Sequence, residues 1–147
     1  MQEANFDEVL EKLLATDKRY HRDAYYFLRE ALDFTQKLVT KESRSGTRQA
    51  LGHHVTVQEL LSGIRQFALA QYGPMAITVL DEWGVKNCSD FGELVFNMIE
   101  AGLLAKTEND SREDFKTGYD FTEAFRKPYW PGHKLKADSA PQVDAKN

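Results

Sequence analysis

Residues 100–106 read Glu100-Ala101-Gly102-Leu103-Leu104-Ala105-Lys106, and the path the chain takes out of this stretch decides the fold. Upstream, Phe91, Leu94, Val95, Met98 and Ile99 recur at the spacing of one buried helix face, and Gly102 stands where that helix ends. Downstream, Leu103-Leu104-Ala105-Lys106-Thr107 is short and apolar, Glu108 to Arg112 is a polar turn, and Phe115 to Phe121 carries aromatics at 115, 119 and 121. This succession predicts a hairpin of two strands, the second weakened by Gly118, with a short helical turn following at Thr122 to Phe125.

Two further helices precede this junction. Thr56-Val57-Gln58-Glu59 has the capping-box spacing, in which a hydroxyl and a carboxylate satisfy each other's exposed amides. Leu60, Leu61, Ile64, Phe67 and Ala68 then draw an apolar face that Gly73-Pro74 ends. The next helix is expected to bury Met75, Val79, Leu80 and Trp83 and to stop at Gly84. A turn over Val85 to Ser89 leads to Asp90-Phe91-Gly92-Glu93, a second capping-box spacing. Nearer the N-terminus, Phe6, Val9, Leu10, Leu13 and Leu14 form a helical stripe with Asn5 expected to cap it. Ala24, Phe27, Leu28, Ala31, Leu32, Thr35, Leu38 and Val39 form another, over Asp23 to Lys41. Between these pairs of helices, Glu42 to His54 is polar and holds Gly46 and Gly52, which reads as a surface loop.

Three successive helices, a glycine-leucine step and a hairpin resemble a winged-helix domain over about residues 56–122. The fold expected is therefore mainly α: a helical domain with a winged-helix-like core, three helices plus a two-stranded hairpin, and two extra N-terminal helices. Residues 1–130 form the single domain and 131–147 a flexible C-terminal tail, where prolines and charged residues replace periodicity. In that fold the last of the three helices enters the DNA major groove. Here it has no Lys or Arg from Ser89 to Ala105, and its polar positions are Asp90, Glu93, Asn97 and Glu100. Carboxylates are repelled by phosphates, so the sequence argues against a sequence-specific DNA reader.

Composition points the same way. The 147 residues carry a net charge of −4, so no global field draws the chain to nucleic acid or an anionic membrane. The charge is unevenly spread: residues 37–54 have a local net charge of +3 and residues 81–105 one of −4. No apolar run approaches the length of a membrane span. The opening Met1-Gln2-Glu3-Ala4-Asn5 lacks the basic start and apolar stretch of a signal peptide. The lone Cys88 gives no intramolecular disulfide, and the compartment expected is the cytoplasm.

A second resemblance spans most of the chain, from about Asp17 to Tyr129. It is carried by His53-His54-Val55-Thr56, Gln58-Glu59-Leu60-Leu61, Gly63-Ile64-Arg65, Tyr72-Gly73-Pro74-Met75-Ala76 and Glu82-Trp83-Gly84. Asp90-Phe91-Gly92-Glu93, Ser111-Arg112-Glu113-Asp114-Phe115 and Gly118-Tyr119-Asp120-Phe121 complete the set. Together they resemble an uncharacterised bacterial family of roughly 150 residues, found mainly in planctomycetes and verrucomicrobia. The resemblance implies one folding unit over 1–130 and no activity, substrate or functional residue.

The function read from the residues is a non-catalytic protein-interaction or adaptor module with an unidentified protein partner. Glu93, Asn97 and Glu100 are its candidate contacts on the acidic helix, and Tyr129 and Trp130 those on an aromatic segment, which holds five aromatics between Tyr119 and Pro131. Tyr119, Phe121 and Phe125 are expected to pack back on the domain, and a homodimer could use the same surface. The alternative is a nucleic-acid-associated protein gripping the backbone through the basic loop 37–54 and the wing, with Lys37, Lys41, Arg44, Arg48 and Arg65 as contacts. A small-molecule enzyme comes third. His53-His54 lacks the spacing of a metal pair, Cys88 lacks a defined histidine partner, and Asp110 to Asp114 lacks the ligand spacing of a calcium loop. Glu59 and Glu93 are accounted for by capping. No catalytic residue, metal or cofactor is assigned.

Overall fold

The computed structural model describes residues 2–42, 55–104 and 111–131. Helix α1 (Gln2–Thr16) and helix α2 (Arg22–Glu42) run antiparallel. Phe6 packs on Tyr26, Asp7 accepts a hydrogen bond from the Tyr26 phenol, and Glu11 pairs with Arg22. Helix α3 (Val57–Tyr72) lies antiparallel along α2, with Phe27 and Phe34 against Phe67 and, one turn of α3 earlier, Gly63 against Thr35. A 3₁₀ turn (Gly73–Met75) then leads to α4 (Ala76–Glu82) and α5 (Cys88–Glu100). The chain closes with a one-turn helix α6 (Arg112–Phe115), a π-helical turn (Thr122–Arg126) and a 3₁₀ turn (Lys127–Tyr129). Among the described residues no helix is long and apolar enough to cross a membrane.

The helix ends follow from local chemistry. Thr56 and Glu59 form the expected capping box, with Glu59 N–H to Thr56 Oγ1 at 3.0 Å and Thr56 N–H to Glu59 Oε1 at 2.9 Å. Helix α5 is capped three residues earlier than its sequence suggests. Asn87 is the cap, in extended backbone, and Asp90 is the reciprocating acid, so Glu93 is left free of any capping role. Helix α1 begins at Gln2, so Asn5, expected at its start, lies inside it. Both α4 and α5 end in the two-bond closure that satisfies the last carbonyls. Val85 N–H reaches Leu80 O and Gly84 N–H reaches Asp81 O; Leu103 N–H reaches Met98 O and Gly102 N–H reaches Ile99 O. At Gly84, φ is +91° and a Cβ would lie 2.5 Å from Arg19 O, so only glycine allows the α1–α2 connection to seat here. His21 N–H then bonds to Trp83 O at 3.1 Å.

One continuous core joins all these elements. Leu10, Ala24, Tyr25, Leu28, Leu61, Ile64, Leu80, Phe91, Leu94, Met98, Phe115 and Phe125 are fully buried within it. Met75, expected inside, is 55% exposed, because the tighter 3₁₀ turn carries it outward and buries Ala76 in its place. Tyr25 lies outside the expected α2 stripe, yet it is wholly buried.

The hairpin is not formed by the described residues. Phe115 ends helix α6 and Phe121 leads into the π-helical turn, so the segment expected as the second strand folds back as helical turns instead. The reason is packing. Phe115 and Phe121 both face inward, against Phe96 and Phe91 of α5, and Gly118 sits so close to Cys88 and Leu61 that a Cβ would be 2.7 Å from Cys88 Sγ. Three aromatics spaced four and two apart suited a strand or a folded turn, and the long-range contacts select the turn. The first expected strand lies mostly at 105–107, outside the described residues, as do the loop at 43–54 and the tail beyond 131. The helical turn expected at Thr122 to Phe125 is present as Thr122–Arg126.

Candidate functional site

Helix α5 carries the acidic face singled out from the sequence, and the fold occupies that face from both sides. At its N-terminal end Asp90 accepts from the Tyr20 phenol at 2.6 Å and from the Lys86 amide at 2.8 Å. One turn on, Glu93 stands between two arginines, 3.3 Å from Arg19 Nη2 and 3.3 Å from Arg112 Nε. Arg112 also reaches Glu100 at 3.6 Å and lies over the Phe96 ring. Asn97, only 8% exposed, donates to Asp17 Oδ2 and to the Tyr25 hydroxyl, both at 3.1 Å. Arg19 in turn grips Asp17 through two parallel bonds, Nε to Oδ1 at 3.0 Å and Nη2 to Oδ2 at 2.7 Å.

The electrostatics follow. The Arg19 hydrogen bonds hold the Asp17 carboxyl down at about 2 against the opposing effect of its partial burial. Burial and the bond to Asp90 push the Tyr20 phenol well above its ordinary value. Glu93, Asn97 and Glu100 are therefore brought together, on one network that clamps the α1–α2 connection and Arg112 to α5. Sequence reasoning missed Asp17, Arg19, Tyr20 and Tyr25 as its other members, because nothing local marks a residue whose partner lies some seventy positions away.

The second set of candidates, Tyr129 and Trp130, lies apart on the 3₁₀ turn that follows the π-helical turn. Tyr119, Phe121 and Phe125 pack on one another and on Phe91, and the Tyr119 phenol donates to Leu61 O at 2.8 Å. Tyr129 and Trp130 instead remain 40% and 47% exposed. Lys127 Nζ sits 5.9 Å from the centre of the Trp130 ring and pairs with Glu123 at 2.9 Å. The charge of Arg65, on α3, opposes the upward push that burial exerts on the Tyr129 and Tyr119 phenols.

Beside this edge a cleft of about 500 Å³ opens between α4, the turn before α5 and the π-helical turn. Ile77, Val85 and Phe121 give it apolar lining, and Arg126 stands in its wall one residue before Lys127. Asp81 and Lys86 pair with each other there, and Asp120 is engaged by the Glu123 amide at 3.2 Å. The cleft offers no activated nucleophile: the Tyr119 phenol is already bonded to a carbonyl and raised by burial. Cys88 is buried, its thiol donates to Tyr119 O at 3.4 Å, and burial pushes it up to about 11.

The nucleic-acid candidates are not assembled into one described site. Lys37 pairs with Asp33 on the same face of α2 at 3.1 Å, while Arg65 lies on a different helix, α3. Lys41 is in α2, and Arg44, Arg48, His53 and His54 lie outside the described residues. Among the described residues no group of three or more His, Cys, Asp or Glu side chains is placed to hold a metal ion. Comparison with protein-family models, with curated proteins and with solved structures finds no match to this chain.

Proposed function

We propose that the chain is a non-catalytic protein-interaction module, an adaptor, and that its contact surface is the edge formed by Tyr129 and Trp130. The observation that carries this reading is their exposure. Nearly every other aromatic side chain in the described residues packs inward, while these two adjacent rings stand 40% and 47% open to solvent. Exposed aromatics of this kind dominate the energetics of protein interfaces. Asn97 enters the reading as an internal support, since its amide is engaged within the chain, while Glu93 and Glu100 are paired with arginines at the surface and stay candidate contacts. The winged-helix likeness is retained only for the order of α3, α4 and α5, and membership of the uncharacterised bacterial family remains part of the proposal.

The test is a pull-down of the tagged chain from native lysate, with and without nuclease, beside a Tyr129→Ser/Trp130→Ser double variant. A discrete protein partner that survives nuclease and is lost with the variant is the expected result. Equal recovery by the variant would remove the aromatic edge from the reading. Recovery that collapses on nuclease treatment would sink the adaptor function and put Lys37, Lys41, Arg44 and Arg48 at its centre instead.

A further inference from the structure

We draw no further inference here: the strongest candidate, the cleft of about 500 Å³ between α4, the turn before α5 and the π-helical turn, sets Asp81 and Asp120 against Lys86 and Arg126 in its lining, and nothing in the structure shows what covers it.

Discussion

The side-chain amide of Asn97 donates to the carboxylate of Asp17, 80 residues earlier in the chain, at 3.1 Å. The same nitrogen reaches the Tyr25 hydroxyl, so one buried amide ties α5 both to the α1–α2 connection and to α2 itself. Replacing it with Ala leaves the Tyr25 hydroxyl without this donor inside the core. The loss expected is about 2 kcal/mol, the usual consequence of stranding a buried polar group. Urea unfolding of Asn97→Ala measures it, and an unchanged midpoint would show that water takes over the amide's bonds.

Asp17 gives this junction a signature in acid. Its folded pKa, held down to about 2 chiefly by the Arg19 hydrogen bonds, lies below the ordinary value of 3.8. A carboxyl depressed on folding stabilises the fold above its unfolded pKa, and that stability disappears as pH falls through the folded value. The window is therefore from about pH 4 down to about pH 2. With Arg19 half exposed, the contribution is about 1 kcal/mol after solvent screening. Comparing unfolding of the native chain and Asp17→Asn across that range tests it: the difference between them should shrink with acid.

Gly63 marks the closest approach of α3 to α2. A Cβ there would fall 1.8 Å from Thr35 Oγ1 and 2.8 Å from Thr35 Cβ. Helix propensity alone would make Gly63→Ala stabilising by about 1 kcal/mol. The clash dominates, and a net loss of about 2 kcal/mol is expected as the two helices are forced apart. Thr35→Ala removes the nearer contact, so the double variant should recover about 1 kcal/mol relative to additivity. Additive behaviour in thermal unfolding would place the strain elsewhere.

Cys88 should be inert in the folded protein. Its thiol is buried against Tyr119 and raised to about 11, which leaves roughly one molecule in a thousand as thiolate at pH 8. Iodoacetamide labelling followed by mass spectrometry should find it unmodified at that pH and fully modified in guanidinium. Rapid labelling of the native chain would mean that the segment around Tyr119 opens readily.

How much of this was legible beforehand differs by element. The helix between Thr56 and Gly73 could be read to the residue, because its cap, its apolar spacing and its terminating glycine are all local. The cap of α5 was displaced by three residues, since Asn87-Cys88-Ser89-Asp90 and Asp90-Phe91-Gly92-Glu93 both carry capping chemistry and only the packed turn selects between them. Tyr129 and Trp130 were legible as candidates because they adjoin prolines at the end of the periodic pattern.

The sequence by itself determined the five longer helices, α1 to α5, and the glycines that close α3, α4 and α5, since those depend on contacts three or four residues apart. Tertiary structure decided the rest. It folded Phe115 to Phe121 into turns rather than a strand, because burying Phe115 and Phe121 against α5 outweighs a weak local preference. It also set Glu93 between Arg19 and Arg112 and buried Asn97 against Asp17 and Tyr25. Ion pairs and buried amides are formed by groups that the chain brings together only on folding, so no local pattern announces them.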